Sequence, residues 1–392
     1  MSIMQRLHKL QISKFVNLGM IACSLKNEAE KGLYMRKVFD KNASQVVKGL
    51  AILMLLMYHL FEHEELIQSM EVNYSPFPLQ GFLTVTGFGN ICVSVFVFLT
   101  AYGITESILY GSKSGASLKE AYRQASIRFG KLILNFFALF LSVNLLWGSI
   151  FDYEGLYGEG KQGFLYMLSD AAGFSQFWDT PTMNMTWWYM KVAYILIFLV
   201  PAMAFIVRKI GYPILWIAFL IPFAVDMDED VRRYFFVTAF GVCASYGKWP
   251  DKMLNLRINP VLKWVLGLAA LVVSILVRQN YVVYQTYAAY VEAPIVLVII
   301  FLACQLFGSI PFVDKALGFI GRHSMNIYLV HTFFYMSLWR DFIYSFRHAG
   351  LIFLTLFITT LLYSIVLEFA KYKMIVPLYR KTVTYIKSLL KR

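Results

Sequence analysis

Ten stretches of the chain are apolar around the whole helical circumference: roughly residues 46 to 62, 82 to 109, 132 to 151, 187 to 207, 212 to 225, 234 to 247, 261 to 277, 289 to 307, 318 to 338 and 350 to 370. A helix solvated by lipid or by other helices has this pattern, because backbone groups in hydrocarbon must be paired within their own segment. The fifth and sixth runs, at about 14 residues, fall below the ~17 to 25 that cross a bilayer. A helical hairpin packed inside the bundle is the alternative there. The pattern predicts an all-α membrane protein, a bundle of about ten transmembrane helices.

Composition agrees: 59% of the residues are apolar and only 15% charged, against about 25% charged in soluble domains. The 392 residues therefore read as one membrane domain, residues 45–372, and not as two or three globular domains. It is flanked by a basic cytoplasmic or interfacial segment, 1–44, and a basic cytoplasmic tail, 373–392.

Charge sets the orientation, since short cytoplasmic loops carry an excess of Lys and Arg. With the N-terminus inside, the inner segments hold 29 of the 36 Lys and Arg residues, the outer loops hold six, and Lys191 lies within a span. The outer loops are instead acidic, with Glu62, Glu64, Glu65 and Glu71 after the first span and Asp152, Glu154, Glu159, Asp170 and Asp179 after the third. Both termini are expected in the cytoplasm. The net charge of +13 is spread over every inner loop, so it reads as topology and contact with anionic membrane lipids, not as a nucleic-acid surface.

Cys92, Cys243 and Cys304 fall inside spans and Cys23 in the N-terminal segment, so neither a disulfide framework nor a cysteine zinc site is expected. The first 45 residues resemble a signal peptide in Arg6, Lys9, Lys14 and the apolar stretch Phe15 to Leu25, but no good cleavage site follows. An interfacial helix and a natural start at Met35 are the other readings.

Ionisable groups inside spans are costly and therefore mark candidate chemistry. Lys48 and His59 are eleven residues apart, three turns plus about 20°, so they share a helix face about 16 Å apart along the axis. A neutral imidazole so placed can take a proton from a hydroxyl at physiological pH; a hydrogen-bonded packing histidine gives the same sequence. The segment HLFEH (His59 to His63) also matches the H-x-x-E-H pattern of inverted zinc peptidases. That chemistry needs a third ligand, and beyond Glu64 and Glu65 none stands nearby, so no metal is expected.

The first span, VVKGLAILMLLMYHLF (Val46 to Phe61), resembles the opening helix of the acyltransferase-3 family, multi-pass acyl-CoA-dependent enzymes that O-acylate surface polysaccharides. Lys48 fills a position where that family usually has Arg. The resemblance continues in GNICVSVFVFLTAYGITES (Gly89 to Ser107), with Thr100, Ala101 and Tyr102 where Ser, Gly and an aromatic are common. IRFGKLIL (Ile127 to Leu134) is similar to the family's basic pair, here Arg128 and Lys131. TWWYMKVAYILIFLVP (Thr186 to Pro201) resembles its Trp-aromatic helix closing with Pro, and GRHSMNIYLVHTFF (Gly321 to Phe334) its late helix ending in His, here His331. The paired glutamates found in many members of the family are absent, which places the chain nearer the exopolysaccharide and enterobacterial-type branch.

The resemblance implies acetyl-CoA, or another short acyl-CoA, used from the cytoplasmic side. The acceptor would be a hydroxyl of a cell-surface or lipid-linked polysaccharide at the cell (inner) membrane. Lys48, Arg128 and Lys131 would hold CoA phosphates, His59 would be the general base and Glu62, one turn on, would orient it. Glu62 also reads as a charge at headgroup level. His331 reads as a substrate contact or as a packing residue bonded to a carbonyl one turn back. Lys191 reads as an acceptor contact or as a cation snorkelling to the interface. Glu368 and Lys371 read as a local ion pair. A homo-oligomer is compatible with the sequence. The rival from another class is a transporter or glycan flippase, which would show inverted hydropathy repeats with broken helices.

The charge pattern predicts that a reporter fused after Arg392 is active in the cytoplasm and one inserted near Gly158 reads as external. An external C-terminus would remove the ten-span topology.

Overall fold

The computed structural model describes residues 39–111 and 117–375. Among them the chain is helical, without strands, and its extended pairing is a single bridge between Asn73 and His348. The principal helices are α1 (Lys41–Phe61), α2 (Leu79–Phe88), α3 (Cys92–Leu109), α4 (Leu118–Trp147), α5 (Gly160–Ala171) and α6 (Tyr189–Ile210). They are followed by α7 (Ile214–Ala224), α8 (Glu229–Tyr246), α9 (Pro260–Gln279), α10 (Tyr281–Gln305), α11 (Pro311–Thr332) and α12 (Ala349–Ala370). The expected N-terminal segment and basic tail fall almost wholly outside the described residues.

Among the described residues, seven segments are long and apolar enough to cross a membrane: Lys41–Phe61, Leu79–Leu109, Leu118–Ile150, Met185–Ile210, Pro260–Gln279, Tyr287–Ser309 and Ala349–Lys373. The other three predicted runs also form helices, but of different character. α7 has 11 residues, about 16 Å of rise. It lies at the periphery with Trp216, Leu220 and Phe223 exposed, so residues 212 to 225 do not form half of an interior hairpin. α8 opens on Glu229, Asp230, Arg232 and Arg233, and α11 carries His323, Asn326 and His331, all buried. A helix with polar groups along its length is stable in such a bundle when protein surrounds it, and α11 is the most enclosed of the set.

Local signals set the helix ends. Asp40 caps α1 by accepting from the Ala43 amide at 2.8 Å, and Ser117 caps α4 by accepting from Glu120 at 3.3 Å. Pro260 and Pro311 stand at the first turns of α9 and α11, where no amide donor is required.

α1 and α11 pack against each other along their length, and glycine makes the contact. A Cβ at Gly49 would overlap the carbonyl oxygen of Leu317, and one at Gly321 would overlap that of Gln45. Helices in lipid gain little from hydrophobic burial against one another, so backbone approach through small residues supplies the packing. α3 and α8 repeat the device: a Cβ at Gly241 would lie 2.9 Å from the Phe98 carbonyl oxygen. The exposed sides of α9 and α12 carry Val265, Val272, Leu276, Leu351, Leu354 and Leu362, an apolar belt suited to lipid.

Gly321→Leu is expected to force α1 and α11 apart, because the obstacle is backbone and cannot rotate away. The cost should reach or exceed the roughly 3 kcal/mol upper range of overpacking. Thermal unfolding in detergent would show it as a large drop in midpoint, and an unchanged midpoint would refute the close crossing.

Candidate active site

The last turn of α1 is fixed by Leu60 and Phe61, both fully buried, and by the Tyr344 hydroxyl, which donates to the Leu60 carbonyl at 2.9 Å. His59 is thereby held at the mouth of the bundle with its side chain 21% exposed. Its Nδ1 lies 3.4 Å from Oε1 of Glu62. An ionised carboxylate only accepts, so Nδ1 carries the proton and Nε2 keeps its lone pair. Glu62 sits just beyond Phe61, outside the span. Burial pushes its carboxyl up, but the hydrogen bonds and charge of His59, with Tyr58 and His63 nearby, outweigh this and hold it below the usual range.

His331 is fully buried at the end of α11, and its ring lies 5.0 Å from that of His59 at 40°. Its Nδ1 donates to the Tyr328 carbonyl at 2.6 Å, three residues back. That fixes the tautomer with a lone pair on Nε2, and Nε2 is buried without a protein partner. A buried acceptor left bare costs ~1 to 3 kcal/mol. Two imidazoles thus stand side by side, each with Nδ1 engaged and Nε2 open.

The segment leading into α6 holds this end of α11. The Trp187 indole donates to the Leu329 carbonyl at 2.9 Å, Asn184 donates to the Thr332 hydroxyl at 2.6 Å, and the Tyr328 hydroxyl donates to the Thr186 carbonyl at 2.8 Å. This is the physical content of the Thr-Trp-Trp-Tyr segment. One to two turns earlier in α11, Asn326 donates to Ser364 at 3.0 Å and to Glu368 at 2.8 Å, while Ser364 meets His323 Nδ1 at 2.8 Å. Lys371 bonds Glu368 at 2.7 Å and also reaches Asn135. The expected Glu368–Lys371 pair is therefore part of a network joining α4, α11 and α12.

Beside this half of α11 lies a cavity of about 170 Å³ whose walls include Lys48, Phe96, Thr100, Tyr189, Ser324 and Tyr328. All five of the segments singled out in the sequence reach it. Arg128 and Lys131 do not line it, although Leu132 does. Arg128 donates to the Ser107 hydroxyl at 2.6 Å and keeps a second buried guanidinium nitrogen without a partner; Lys131 is exposed.

Lys191 stands apart from the cavity walls. Its ammonium lies 2.8 Å from Asp228 and 3.0 Å from Asp230. Asp228 serves two elements, because its other oxygen caps α8 by accepting from the amides of Asp230 and Val231. Burial pushes the Asp228 carboxyl up, and the Lys191 and amide hydrogen bonds reverse this and hold it low. His63 lies 72% exposed with Nε2 3.4 Å from Glu62 Oε1, so both histidines of HLFEH face the same carboxylate oxygen. Among the described residues no group of three or more His, Cys, Asp or Glu is arranged to hold a metal.

Two clusters escaped the sequence reading. Glu292 on α10, 1% exposed, takes Arg278 at 2.7 Å and the Ser94 hydroxyl, with Arg233 at 3.8 Å. An acid inside an apolar run was the available signal. Asp170, counted among the outer acids, is buried in the last turn of α5. It accepts from the Tyr157 hydroxyl at 2.7 Å, the Ser175 hydroxyl at 2.9 Å and the Met183 amide at 2.8 Å. Burial raises its carboxyl above the usual range in spite of these donors.

The architecture is that of a multi-pass membrane protein with two neighbouring imidazoles where α1 and α11 end and a cavity beside Lys48 further along the same helices. The model of the acyltransferase-3 family, described as an acyltransferase domain, matches residues 42–369. The chain belongs to that family and is an acyltransferase. No curated protein and no solved structure matches it.

A double-mutant cycle over Lys191→Met and Asp228→Asn is expected to show coupling of about 1 kcal/mol in stability, the size for a partly exposed pair. Absence of coupling would release Lys191 for an acceptor role.

Proposed function

We propose that this protein transfers a short acyl group, acetyl, from cytoplasmic acyl-CoA to a hydroxyl of a cell-surface or lipid-linked polysaccharide, with His59 as general base. The observation that carries the proposal is the His59–Glu62 pair beside His331, with Nε2 open on both rings. A base must present a lone pair within reach of the acceptor and be oriented by a third group, and the imidazole–carboxylate pair meets both conditions.

In the reaction, Nε2 of His59 takes the hydroxyl proton as the acceptor oxygen attacks the thioester carbon. The C–S bond breaks and the CoA thiolate leaves, recovering that proton from the imidazolium. Glu62 steadies the cationic ring while it exists. The lone pair of His331 receives a hydrogen bond from a second acceptor hydroxyl, which removes the cost of leaving it bare. Lys48, in the cavity wall about 16 Å below His59, pairs with the polar part of the donor, and Arg128 offers its unpartnered nitrogen to a CoA phosphate. The nearly neutral ring of walls between Lys48 and Tyr328 suits the pantetheine arm.

His59→Ala should abolish acyl transfer and leave membrane insertion intact, since one half-buried ring adds little to a bundle of this size. It should leave acetyl-CoA affinity nearly unchanged, because a general base acts in the transition state. More than a few per cent of residual activity would make His59 structural.

Lys48→Ala should weaken acetyl-CoA binding by about 1.5 to 3 kcal/mol, the usual worth of a charge-assisted hydrogen bond. Lys48→Arg should be tolerated, as it keeps the charge and adds donors. Titration of the solubilised variants with acetyl-CoA decides; equal affinity for Lys48→Ala and the parent protein would remove Lys48 from the donor site.

A further inference from the structure

A second cavity, of about 330 Å³, opens beside the last turn of α1 on the side away from α11, where α2 and α9 meet. Its polar wall is built from Tyr58, Gln80, Thr84, Asn90, Arg278 and Gln279. Tyr58 precedes the proposed base, and the two rings lie 5.0 Å apart. The cleft and the Lys48 cavity have no lining residue in common.

The chemistry of this wall is specific. Three carboxamides, a threonine hydroxyl and a phenol supply uncharged donors and acceptors, and an amide offers both functions to a pair of neighbouring hydroxyls. Phe88 adds an apolar face. The one charged group is little exposed: Arg278 donates to the Phe88 carbonyl at 2.9 Å and to Glu292 at 2.7 Å, a carboxylate it shares with Arg233, and its side chain is 6% exposed. Gln279 donates to Thr84 at 2.5 Å, and Asn90 donates to the Tyr58 hydroxyl at 3.4 Å, which joins the rim to the α1 terminus. The volume lies within the ~300 to 1,000 Å³ of small-molecule sites. Gln80 and Gln279 are exposed at the mouth while Tyr58, Thr84 and Asn90 are half-buried inside.

We propose that this cleft is the acceptor subsite and that it takes a neutral glycosyl unit, holding the sugar so that one hydroxyl reaches the end of α1. The assignment rests on the acyl-transfer reading above and adds to it where the acceptor binds and which charge class it has. A carboxylated sugar gains little in this cleft, because the Arg278 side chain is only 6% exposed with both terminal nitrogens engaged, and no other cation lines the wall.

Gly87 provides a clean block. It lines the cleft, and a Cβ there meets nothing within 4 Å, so a larger side chain enters the cleft without disturbing a helix. The experiment uses full-length protein in a detergent without a sugar headgroup and reads ligand contact by saturation-transfer NMR. The probes are methyl glucoside, methyl galactoside and methyl glucuronide. Both neutral glycosides should give signals that Gly87→Phe removes and that Gln80→Leu and Gln279→Leu each reduce several-fold, while the glucuronide gives none. Glycoside signals that survive Gly87→Phe, or no glycoside signal in the parent protein, would overturn the subsite. A glucuronide signal equal to the neutral ones and lost in Gly87→Phe would overturn the charge class. Binding in this assay needs no turnover, so a parent protein that binds glycosides yet never transfers acetyl would count against the proposed reaction and not against the cleft.

Discussion

The fold depends on the approach of α1 to α11 through Gly49 and Gly321. Leucine side chains gain little from exchanging lipid neighbours for protein neighbours, so helices in a bilayer associate where backbones can come close. Here each glycine faces a carbonyl of the other helix, and no other residue type leaves room for it. The crossing fixes register as well as distance. It is why the end of α1 meets the end of α11 and why two imidazoles far apart in the chain lie ring to ring.

The polar groups that such packing buries are satisfied in layers. The C-terminal half of α11 is gripped on one side by Asn184, Trp187 and the Tyr328 hydroxyl and on another by the Asn326–Glu368–Lys371 network. Glu292 is enclosed by Arg278, Arg233 and Ser94. Removal of one member of such a set leaves its partner charged or bare in a low-dielectric interior, so each cluster acts as a unit. Nε2 of His331 and one guanidinium nitrogen of Arg128 are among the buried polar atoms that this pairing leaves without a hydrogen bond.

Much of this was legible in the sequence. All ten apolar runs fold as helices, and the eleven-residue spacing of Lys48 and His59 puts one in a cavity wall and the other beside Glu62. The family followed from the order of the motifs and holds over residues 42–369. What was not legible depends on side-chain geometry between distant helices. The acidic pair that holds Lys191 lies beyond a whole helix in sequence, and nothing local says that Asp228 faces inward. Arg128 and Lys131 are three residues apart, but helical rotation turns one toward Ser107, half-buried, and leaves the other exposed. Asp170 read as a solvated loop acid because its three donors come from separate turns of an irregular segment. Glu292 carried a readable sign, an acid in an apolar run, and it marks a wall of the second cleft.

The separateness of the two cavities has a consequence for the order of events. They share no lining residue, so a ligand held in one does not displace a ligand held in the other. A donor beside Lys48 and an acceptor beside Tyr58 would then be bound together before either reacts, in whichever order they arrive. No covalent acyl-enzyme would be needed to carry the group from one visit to the next.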